Sequence, residues 1–521
     1  MMNTAVTSNR QASLKDWLGL AVLALPALLV SIDVSVMILA LPHIGVSLGA
    51  DSAEQLWIMD IYGFMLSGFL ITMGTLGDRI GRRKLLMIGG AAFGAASVVA
   101  AFSDSPAMLI AARALLGIAG ATLSPSTLAL ISNMFHDHKQ RSFAIGIWFT
   151  CSMGGMALGP VVGGAMLEHF PWGSLFLLGV PVMALLLLTA PLLLPEYRAP
   201  SSGRLDMTSV LLSLFAILPT IYGLKEIAKQ GVETMPILAI AAGLAFGTMF
   251  VRRQRQLDHP LLDLRLFVDP AFRAALGGLF GITLTGAFML FIAQHLQFVQ
   301  GKSPLQAALW MLPGVVASMA GMLLSPLIAR RIRPSFLIGA GLVAASAGCI
   351  LLSQAGTVSG LASLVVGYIL FSGGSAPYPS LSSDLIIGSA PPEKAGSAAS
   401  LLQTSGEFAF ALGIAVLGSL GTSIYRHQVA AFIPAGMTAS DASASRESLA
   451  GAIAAADRLP ESARTAFLHG AREAFTGGMH AVAWVSGALM LGIAILAVIK
   501  LRHIRPIGQS AVGKAALETD M

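Results

Sequence analysis

Long apolar runs, each close to the thickness of a membrane, recur along almost the whole chain. A bilayer core of ~30 Å needs about 20 helical residues, and the sequence repeatedly supplies that length between short polar breaks. An even number of such runs would place both termini on one side of the membrane. The pattern predicts about fourteen spanning helices, near residues 18–41, 55–76, 85–103, 107–132, 142–167, 173–194, 207–228, 234–251, 273–298, 305–329, 336–354, 359–383, 397–422 and 477–500.

The first apolar run could be mistaken for a secretion signal. It follows a short polar N-terminus, is longer than a signal-peptide core, and is followed by no A-x-A cleavage site. We therefore interpret residues 18–41 as a retained first spanning helix.

Positive charge is concentrated in alternate loops. Basic residues crowd DRIGRRK, HDHKQR, VRRQRQ, ARRIRP and KLRHIRP, whereas ADSAEQ, SDSP and QAGTVSG carry none. Because Lys and Arg mark cytoplasmic loops, both termini are predicted to be cytoplasmic. The net charge of +6 follows from this bias and requires no nucleic acid partner.

The composition agrees with a membrane protein. Of 521 residues, 55% are hydrophobic and 11% charged, against roughly 25% charged in soluble domains. Two cysteines, Cys151 and Cys349, lie far apart in apolar segments. They form neither a disulfide framework nor a CxxC site, so we expect packing roles, no metal and no cofactor.

The chain divides into three predicted parts. LGDRIGRRKLLMIGG can be aligned with LIARRIRPSFLIGAG further along, which suggests two related bundles, a layout common in transporters. We predict a six-helix bundle over 1–204, two inserted helices over 205–255 and a second six-helix bundle over 256–521. Residues 423–476 would form an external helical hairpin broken at Pro460, either near the exit pathway or a solvated decoration.

Ionisable residues are few inside the predicted spans, and we single out Asp33, Asp60, Arg113 and Glu407 as candidates. A charge in hydrocarbon costs about 2.5 kcal/mol or more, so such residues are functional candidates. Three acids and one arginine do not balance if all are ionised. Desolvation favours a neutral carboxyl group, so these acids could hold a proton and exchange it for a cation. A structural ion pair is the alternative for each acid, and a structural clamp is the alternative to a relay role for Arg113.

Two glycine-containing motifs could serve movement. GTLGDRIGRRK permits a tight turn whose ion pairs would break and reform, or it is a simple basic anchor. GGMALGPVVGG places glycines four apart on one helix face beside a proline that removes a backbone donor, which indicates either ordinary packing or a hinge between the bundles. The candidate gate residues are Gly74, Asp78, Arg79, Gly81, Arg82 and Arg83, and the candidate hinge residues are Gly155, Gly159, Pro160, Gly163 and Gly164.

Aromatic residues in the spans could line a cavity, because aromatic faces attract cations. Core packing or lipid contact is the alternative for each of them. The candidates are Trp57, Tyr62, Trp148, Phe149, Trp310, Tyr378 and Phe408.

Four of these motifs together resemble those of the major facilitator superfamily. GTLGDRIGRRK resembles its loop between helices two and three, ARALLGIAGA its fourth-helix arginine motif, GGMALGPVVGG its antiporter signature, and SIDVSVMILALP the first helix of its fourteen-helix drug:proton antiporter branch. The similarity covers about residues 17–500. Within that branch the chain is most similar to quaternary-ammonium exporters of the QacA and SmvA type, through WIMDIY, GEFAFALGIAVLG and the long loop before the last helix.

The resemblance implies a monomeric exporter in the bacterial cytoplasmic membrane that exchanges protons for lipophilic cations, namely quaternary ammonium antiseptics, dyes and biguanides. By position, Asp33, Asp60 and Glu407 would carry substrate and protons, Arg113 would couple them, and Asp78 with Arg82 would form the cytoplasmic gate. Some members carry an acid in helix ten, but LQAALWMLPGVVASMAGMLLSPLIA has none, which leaves the handling of divalent cations open.

The sequence also bears on several other possible functions. No GxxxxGK[ST] motif for ATP occurs, since the nearest match, QGKS, lacks the first glycine. HExxH is absent, and the GxSxG match at residues 45–49, GVSLG, follows a predicted spanning helix instead of the strand that a nucleophile elbow requires, so an intramembrane enzyme is not indicated. A nutrient symporter and a lipid or siderophore exporter of the same fold stay open, and only the resemblance of the glycine-proline stripe argues against the symporter.

Overall fold

A computed structural model describes residues 12–50, 52–198, 206–230, 233–257, 260–262, 264–356, 360–389, 395–502 and 506. The regular elements in these ranges are all helical. They are α1 (Leu14–Leu48), α2 (Ser52–Ile80), α3 (Arg82–Ala101), α4 (Pro106–Met134), α5 (His138–His169), α6 (Ser174–Leu177), α7 (Gly179–Leu193), α8 (Met207–Gln230), α9 (Thr234–Gln254), α10 (Pro270–Thr285), α11 (Phe288–Gln294), α12 (Pro304–Ile328), α13 (Pro334–Leu352), α14 (Leu361–Ser375), α15 (Pro377–Ser389), α16 (Ala395–Gly413), α17 (Ser419–Val429), α18 (Ala439–Glu447), α19 (Leu449–Ala456) and α20 (Glu461–Leu501).

Short irregular turns complete some of these helices. Two π-helical turns, His295–Val299 and Ile414–Gly418, extend α11 and join α16 to α17, and two 3₁₀ turns lie at Leu264–Val268 and Ala430–Phe432. With these joins, fourteen helical segments in the described part of the chain are long and apolar enough to cross a membrane. The predicted number of spans is confirmed.

The connection between the second and third spans is much shorter than predicted. The pattern placed polar residues 77–84 in a loop, but α2 continues to Ile80 and α3 begins at Arg82. Only Gly81 separates them, at φ 108°, a backbone conformation that glycine adopts without steric cost. The charged residues of this motif therefore project from two helix ends.

Local capping residues fix where other helices begin. The Ser13 hydroxyl accepts a hydrogen bond from the amide of Asp16, and the Asp16 carboxylate accepts one from the Ser13 amide, a reciprocal capping box that starts α1. Ser303 and Gln306 form the same arrangement at the start of α12. These caps satisfy amides that have no partner inside the helix.

The spans pack as two six-helix bundles of matching internal arrangement. In the N-terminal bundle (α1–α7), the first span packs on the fifth, and the fourth packs on the second and third. The C-terminal bundle (α10–α17 and α20) repeats these pairings, with α10 on α16 and with α14 on α12 and α13. The aligned sequence repeat corresponds to the second and third spans of each bundle.

The two bundles meet through equivalent helices. The second span of the N-terminal bundle, α2, packs on the fifth span of the other, α16, and α5 packs on α12 in the reciprocal manner. The inserted pair, α8 and α9, pack on each other, and α8 also contacts α2 and α16. Phe64, Ile71, Ile217 and Ala411 from these three helices share one apolar cluster. The inserted pair therefore borders the junction between the bundles.

One end of the inserted pair is held by an ion pair. Arg253 donates two hydrogen bonds to Asp206, from Nε at 2.6 Å and from Nη2 at 3.0 Å. These bonds lower the pKa of Asp206, and further bonds from Ser209 act in the same direction. The carboxylate of Asp206 is therefore ionised at neutral pH. The predicted boundary between residues 204 and 205 lies outside the described residues.

The segment 423–476 differs in detail from the predicted hairpin. Its second helical piece is continuous with the last span in one 41-residue helix, α20, while the first piece divides into α18 and α19 at Ser448. Tyr425 Oη donates to the Ser445 carbonyl at 2.7 Å, and Arg472 Nε donates to the Phe298 carbonyl at 3.1 Å. The segment is thus fixed against the C-terminal bundle. Its predicted role near an exit pathway stays a prediction.

Candidate functional site

We define the basic end of the molecule as the end where α2 meets α3 and α5 begins, which carries Arg82, Arg83 and Arg141. Several polar contacts join the two bundles there. Thr75 Oγ1 donates to the Leu261 carbonyl at 2.8 Å and lies 3.5 Å from Ser397 Oγ. These contacts close the junction between α2 and the C-terminal bundle.

The predicted gate residues lie at this closed junction. Asp78 forms a buried ion pair with Arg82 and accepts hydrogen bonds, each 3.2 Å long, from the amide and hydroxyl of Ser397 in α16. Arg82 is 1% exposed, and its guanidinium lies 5.8 Å from the Tyr197 ring centroid. Asp78 therefore links a pair inside one bundle to the backbone of the other.

The remaining gate candidates lie in and around the same corner. Arg83 pairs with Glu196 at 3.6 Å and donates to the Leu194 carbonyl at 3.0 Å. Gly81 lies so close to Glu196 that an added Cβ would sit 2.6 Å from its carboxylate. Gly74 and Arg79 are buried in the last turns of α2.

A second ion pair closes the basic end between α5 and α15. Arg141 Nε lies 2.7 Å from Asp384 Oδ1, and the Ser142 hydroxyl donates to the other oxygen of the same carboxylate. Asp384 is 2% exposed. Because a buried carboxylate is costly without partners, this contact stabilises the closed arrangement.

Farther from that end, Asp33 and Arg113 form an ion pair inside the N-terminal bundle. Arg113 Nη1 lies 2.7 Å from Asp33 Oδ2, and Arg113 Nε donates to the Ile58 carbonyl at 3.2 Å. The guanidinium also lies 4.7 Å from the Tyr62 ring centroid. The side chain of Arg113 is 2% exposed and that of Asp33 is 12% exposed, so Asp33 is the partner open to solvent.

Asp33 also borders a small cavity on the side of α3 and α6. The cavity has a volume of ≈ 10 Å³ and is lined by Asp33, Phe93, Ser97 and Phe176 among others. That volume holds about one water molecule. It gives the carboxylate room for a water but not for a drug-sized molecule.

The Tyr62 hydroxyl connects the Asp33 pair to the C-terminal bundle. Tyr62 is 3% exposed, and its hydroxyl has no hydrogen-bond partner among the described residues. It interacts electrostatically with Asp33, Arg113 and Glu407. Glu407, on α16, interacts with Ser67 on α2. Acids from both bundles therefore share one polar region at their junction.

The third predicted acid, Asp60, has a partner on the inserted pair. Lys225 Nζ lies 2.9 Å from Asp60 Oδ1 and 4.7 Å from the Phe64 ring centroid. Lys225 also interacts electrostatically with Glu407. We call Asp33, Asp60, Arg113, Lys225 and Glu407 the central charge network.

Sequence reasoning missed Lys225 and Asp384. Lys225 falls within the span predicted at 207–228, and a lysine in an apolar run was a usable signal. Asp384 lies one residue beyond the span predicted at 359–383, so it is not among the intramembrane candidates. Only the fold brings it against Arg141.

The predicted hinge glycines lie inside the N-terminal bundle. A Cβ added at Gly155 would meet the Leu28 carbonyl oxygen at 2.2 Å, and one at Gly159 would meet Ser35 Oγ at 1.8 Å. Gly163 faces Val36, whereas nothing lies within 4 Å of a Cβ at Gly164. Pro160 lies within the same helix, α5. The stripe therefore brings α5 close to α1, and its predicted role as a hinge between the bundles stays a prediction.

The predicted cavity aromatics occupy different surroundings. Tyr378 is 1% exposed and donates to the Ala274 carbonyl at 2.9 Å, and Trp148 donates to Thr127 Oγ1 at 3.1 Å, so we assign both to packing. Phe149 packs edge to face on Trp148. Trp57 and Trp310 are 48% and 41% exposed. Tyr62 contacts the central charge network, and Phe408 packs beside Phe64.

Two six-helix bundles with an inserted helix pair and buried charges at their junction define a polytopic membrane transporter. Residues 23–414 match the Major Facilitator Superfamily, and the chain belongs to that superfamily. It is a multi-pass membrane protein and a transporter rather than an enzyme, as predicted.

Two bacterial relatives match over nearly their whole length. The chain is 40% identical over 497 residues to the multidrug efflux pump LfrA of Mycolicibacterium smegmatis, covering 95% of this chain and 98% of the relative. It is 36% identical over 488 residues to the methyl viologen resistance protein SmvA of Salmonella typhimurium, covering 92% and 96%. The resemblance to drug exporters of this superfamily is confirmed.

A solved structure supports the fold. The human organic anion transporter MFSD10 superposes with a TM-score of 0.58 at 17% identity, covering 92% of this chain and 99% of that one. At that identity the match shows shared architecture alone.

Proposed function

We propose that the protein is a proton-coupled antiporter that exports lipophilic cations from the bacterial cytoplasm by alternating access. The central charge network at the junction of the bundles is the observation that carries the proposal. Asp33, Asp60 and Glu407 face two cations, Arg113 and Lys225. With all five groups ionised, the network has one excess negative charge, which a cationic substrate or a proton can neutralise.

A proton and a drug cation compete in this scheme. An ionised carboxylate attracts a cation, whereas a protonated one does not, so occupancy by one species weakens binding of the other. Asp33 and Glu407 would bind the cation, and the buried Tyr62 hydroxyl, which interacts electrostatically with both acids, would pass a proton. Arg113 lies on α4, pairs with Asp33 and donates a hydrogen bond to α2. Protonation of Asp33 would weaken this pair and so couple protonation to movement of α4 and α2.

Alternating access would use the closed junction at the basic end. Basic loops mark the cytoplasmic side, so this end and both termini would face the cytoplasm. The contacts of Asp78 with Ser397 and of Arg141 with Asp384 would break to admit substrate and reform to release it outside. The structure would then represent a state closed toward the cytoplasm.

The relatives agree with this proposal in kind. LfrA is named as a multidrug efflux pump and SmvA for resistance to methyl viologen, a dication. We therefore propose quaternary ammonium antiseptics, cationic dyes and biguanides as substrates. The transporter would work as a monomer in the bacterial inner membrane. Its partners would be these cations, protons and the lipid bilayer, with no nucleic acid.

Efflux of ethidium from preloaded cells tests the coupling. We expect energised cells that express the protein to expel ethidium, an uncoupler to stop the efflux, and ATP depletion with the proton gradient maintained to leave it running. Cells carrying the empty vector give the background. Efflux that survives collapse of the gradient but stops without ATP would contradict the proposal.

A further inference from the structure

Lys225 brings a positive charge from the inserted pair into the central charge network. Its ammonium lies 2.9 Å from the Asp60 carboxylate, with side chains 27% and 22% exposed. The Phe64 ring, 4.7 Å from the ammonium, supplies a favourable aromatic face on its other side. The pair is thus sheltered enough to be strong yet open enough for another cation to reach it.

Lys225 also changes the charge balance next to Glu407. Asp33 is matched by Arg113, and Asp60 is matched by Lys225. Glu407 interacts with the neutral Ser67 and, electrostatically, with Lys225. One carboxylate is therefore in excess, and the ammonium that neutralises Asp60 lies near it.

We propose that Lys225 is a built-in monovalent cation that sets the charge class of the substrate. By neutralising Asp60, it leaves one excess negative charge, which suits a singly charged lipophilic cation and disfavours a dication. The inference rests on the proposed function and narrows it. It also gives the inserted pair a part in substrate recognition through α8.

The chemistry of lysine suits this role. Its ammonium is a compact charge on a flexible stem, so it can shift between Asp60 and Glu407 as a substrate enters. An arginine at this position would keep the charge, whereas a methionine would keep much of the apolar stem and remove the charge. These two substitutions therefore separate charge from packing.

The test measures equilibrium binding of two probes to purified full-length protein. Binding of ethidium, a monocation, is detected by fluorescence, and binding of methyl viologen, a dication, is detected by its competition with ethidium. In Lys225→Met the network carries two excess negative charges, and we expect affinity for methyl viologen relative to ethidium to rise by about tenfold or more. Lys225→Arg should keep the wild-type ratio. Lys15→Met, which removes an exposed lysine at the start of α1, is the matched control and should also keep it.

Substitutions at Asp60 test the role of Lys225 independently. Asp60→Asn alone leaves no excess negative charge and should weaken binding of both probes. The double variant Asp60→Asn with Lys225→Met restores a single excess charge and should recover the wild-type ratio. A merely structural Lys225–Asp60 pair would not produce this reciprocal rescue.

The outcomes separate the two proposals. If the wild type binds both probes and Lys225→Met leaves their ratio unchanged, or weakens both equally, the role of Lys225 in charge selection is overturned. Loss of rescue in the double variant would overturn it as well, including where Lys225→Met alone does not fold. A wild type that binds neither probe would contradict the proposed function itself.

Discussion

Replacing Asp33 by Asn will lower the rate of ethidium efflux by at least about a hundredfold while the protein still reaches the membrane. Asp33 is the more exposed partner of the Arg113 pair. A cation or proton can therefore reach its carboxylate while the guanidinium of Arg113 stays buried. The substitution also leaves the buried guanidinium without its counter-ion, and breaking such a pair costs about 3–5 kcal/mol. Initial efflux rates in cells with matched expression provide the measurement.

Two variants on the same helix give controls. Asp33→Glu keeps the carboxylate and should retain part of the efflux. Asp16→Asn removes an acid from the capping box at the start of α1, at a cost of about 1 kcal/mol, and should leave efflux near the wild-type rate. Full efflux by Asp33→Asn would exclude Asp33 from the site.

Joining Thr75 and Ser397 by a disulfide will stop transport completely and reversibly. Their hydroxyl oxygens are 3.5 Å apart across the junction of α2 and α16, close enough for a Thr75→Cys, Ser397→Cys pair to oxidise. A covalent bond there would hold the basic end closed, so substrate could not enter from that side. Efflux should fall to background after oxidation and return after reduction.

Each single cysteine variant controls for oxidation elsewhere. The native Cys151 and Cys349 are free and should be replaced by alanine in all the variants compared. The single variants should transport equally before and after oxidation. Continued transport by the fully oxidised pair would show that the basic end need not open, contrary to alternating access.

Most of the architecture follows from the sequence because lipid imposes simple rules. A spanning helix must satisfy its own backbone, so apolar length alone identified the fourteen spans. The α2–α3 connection was misjudged for a specific reason. Charged residues suggested a loop, but a single glycine with positive φ, Gly81, allows two helices to meet with their charged residues at the helix ends.

The candidate site was predictable only in part. Asp33 and Arg113 were selected because each is a charge inside an apolar run, and the fold places them 2.7 Å apart. The pairing of Asp60 with Lys225 depends on where the inserted pair docks, which no local pattern specifies. The glycine stripe of α5 had a recognisable period, but its partner helix, α1, became clear only from the packing.

The central claim is that a proton and a drug cation compete for the same carboxylates. Adding ethidium to purified, weakly buffered protein near neutral pH tests this directly, with a pH indicator recording released protons. The account predicts proton release that saturates together with ethidium binding and is reduced in Asp33→Asn and Glu407→Gln variants. Saturable ethidium binding with no proton release at any pH where it binds would contradict the account.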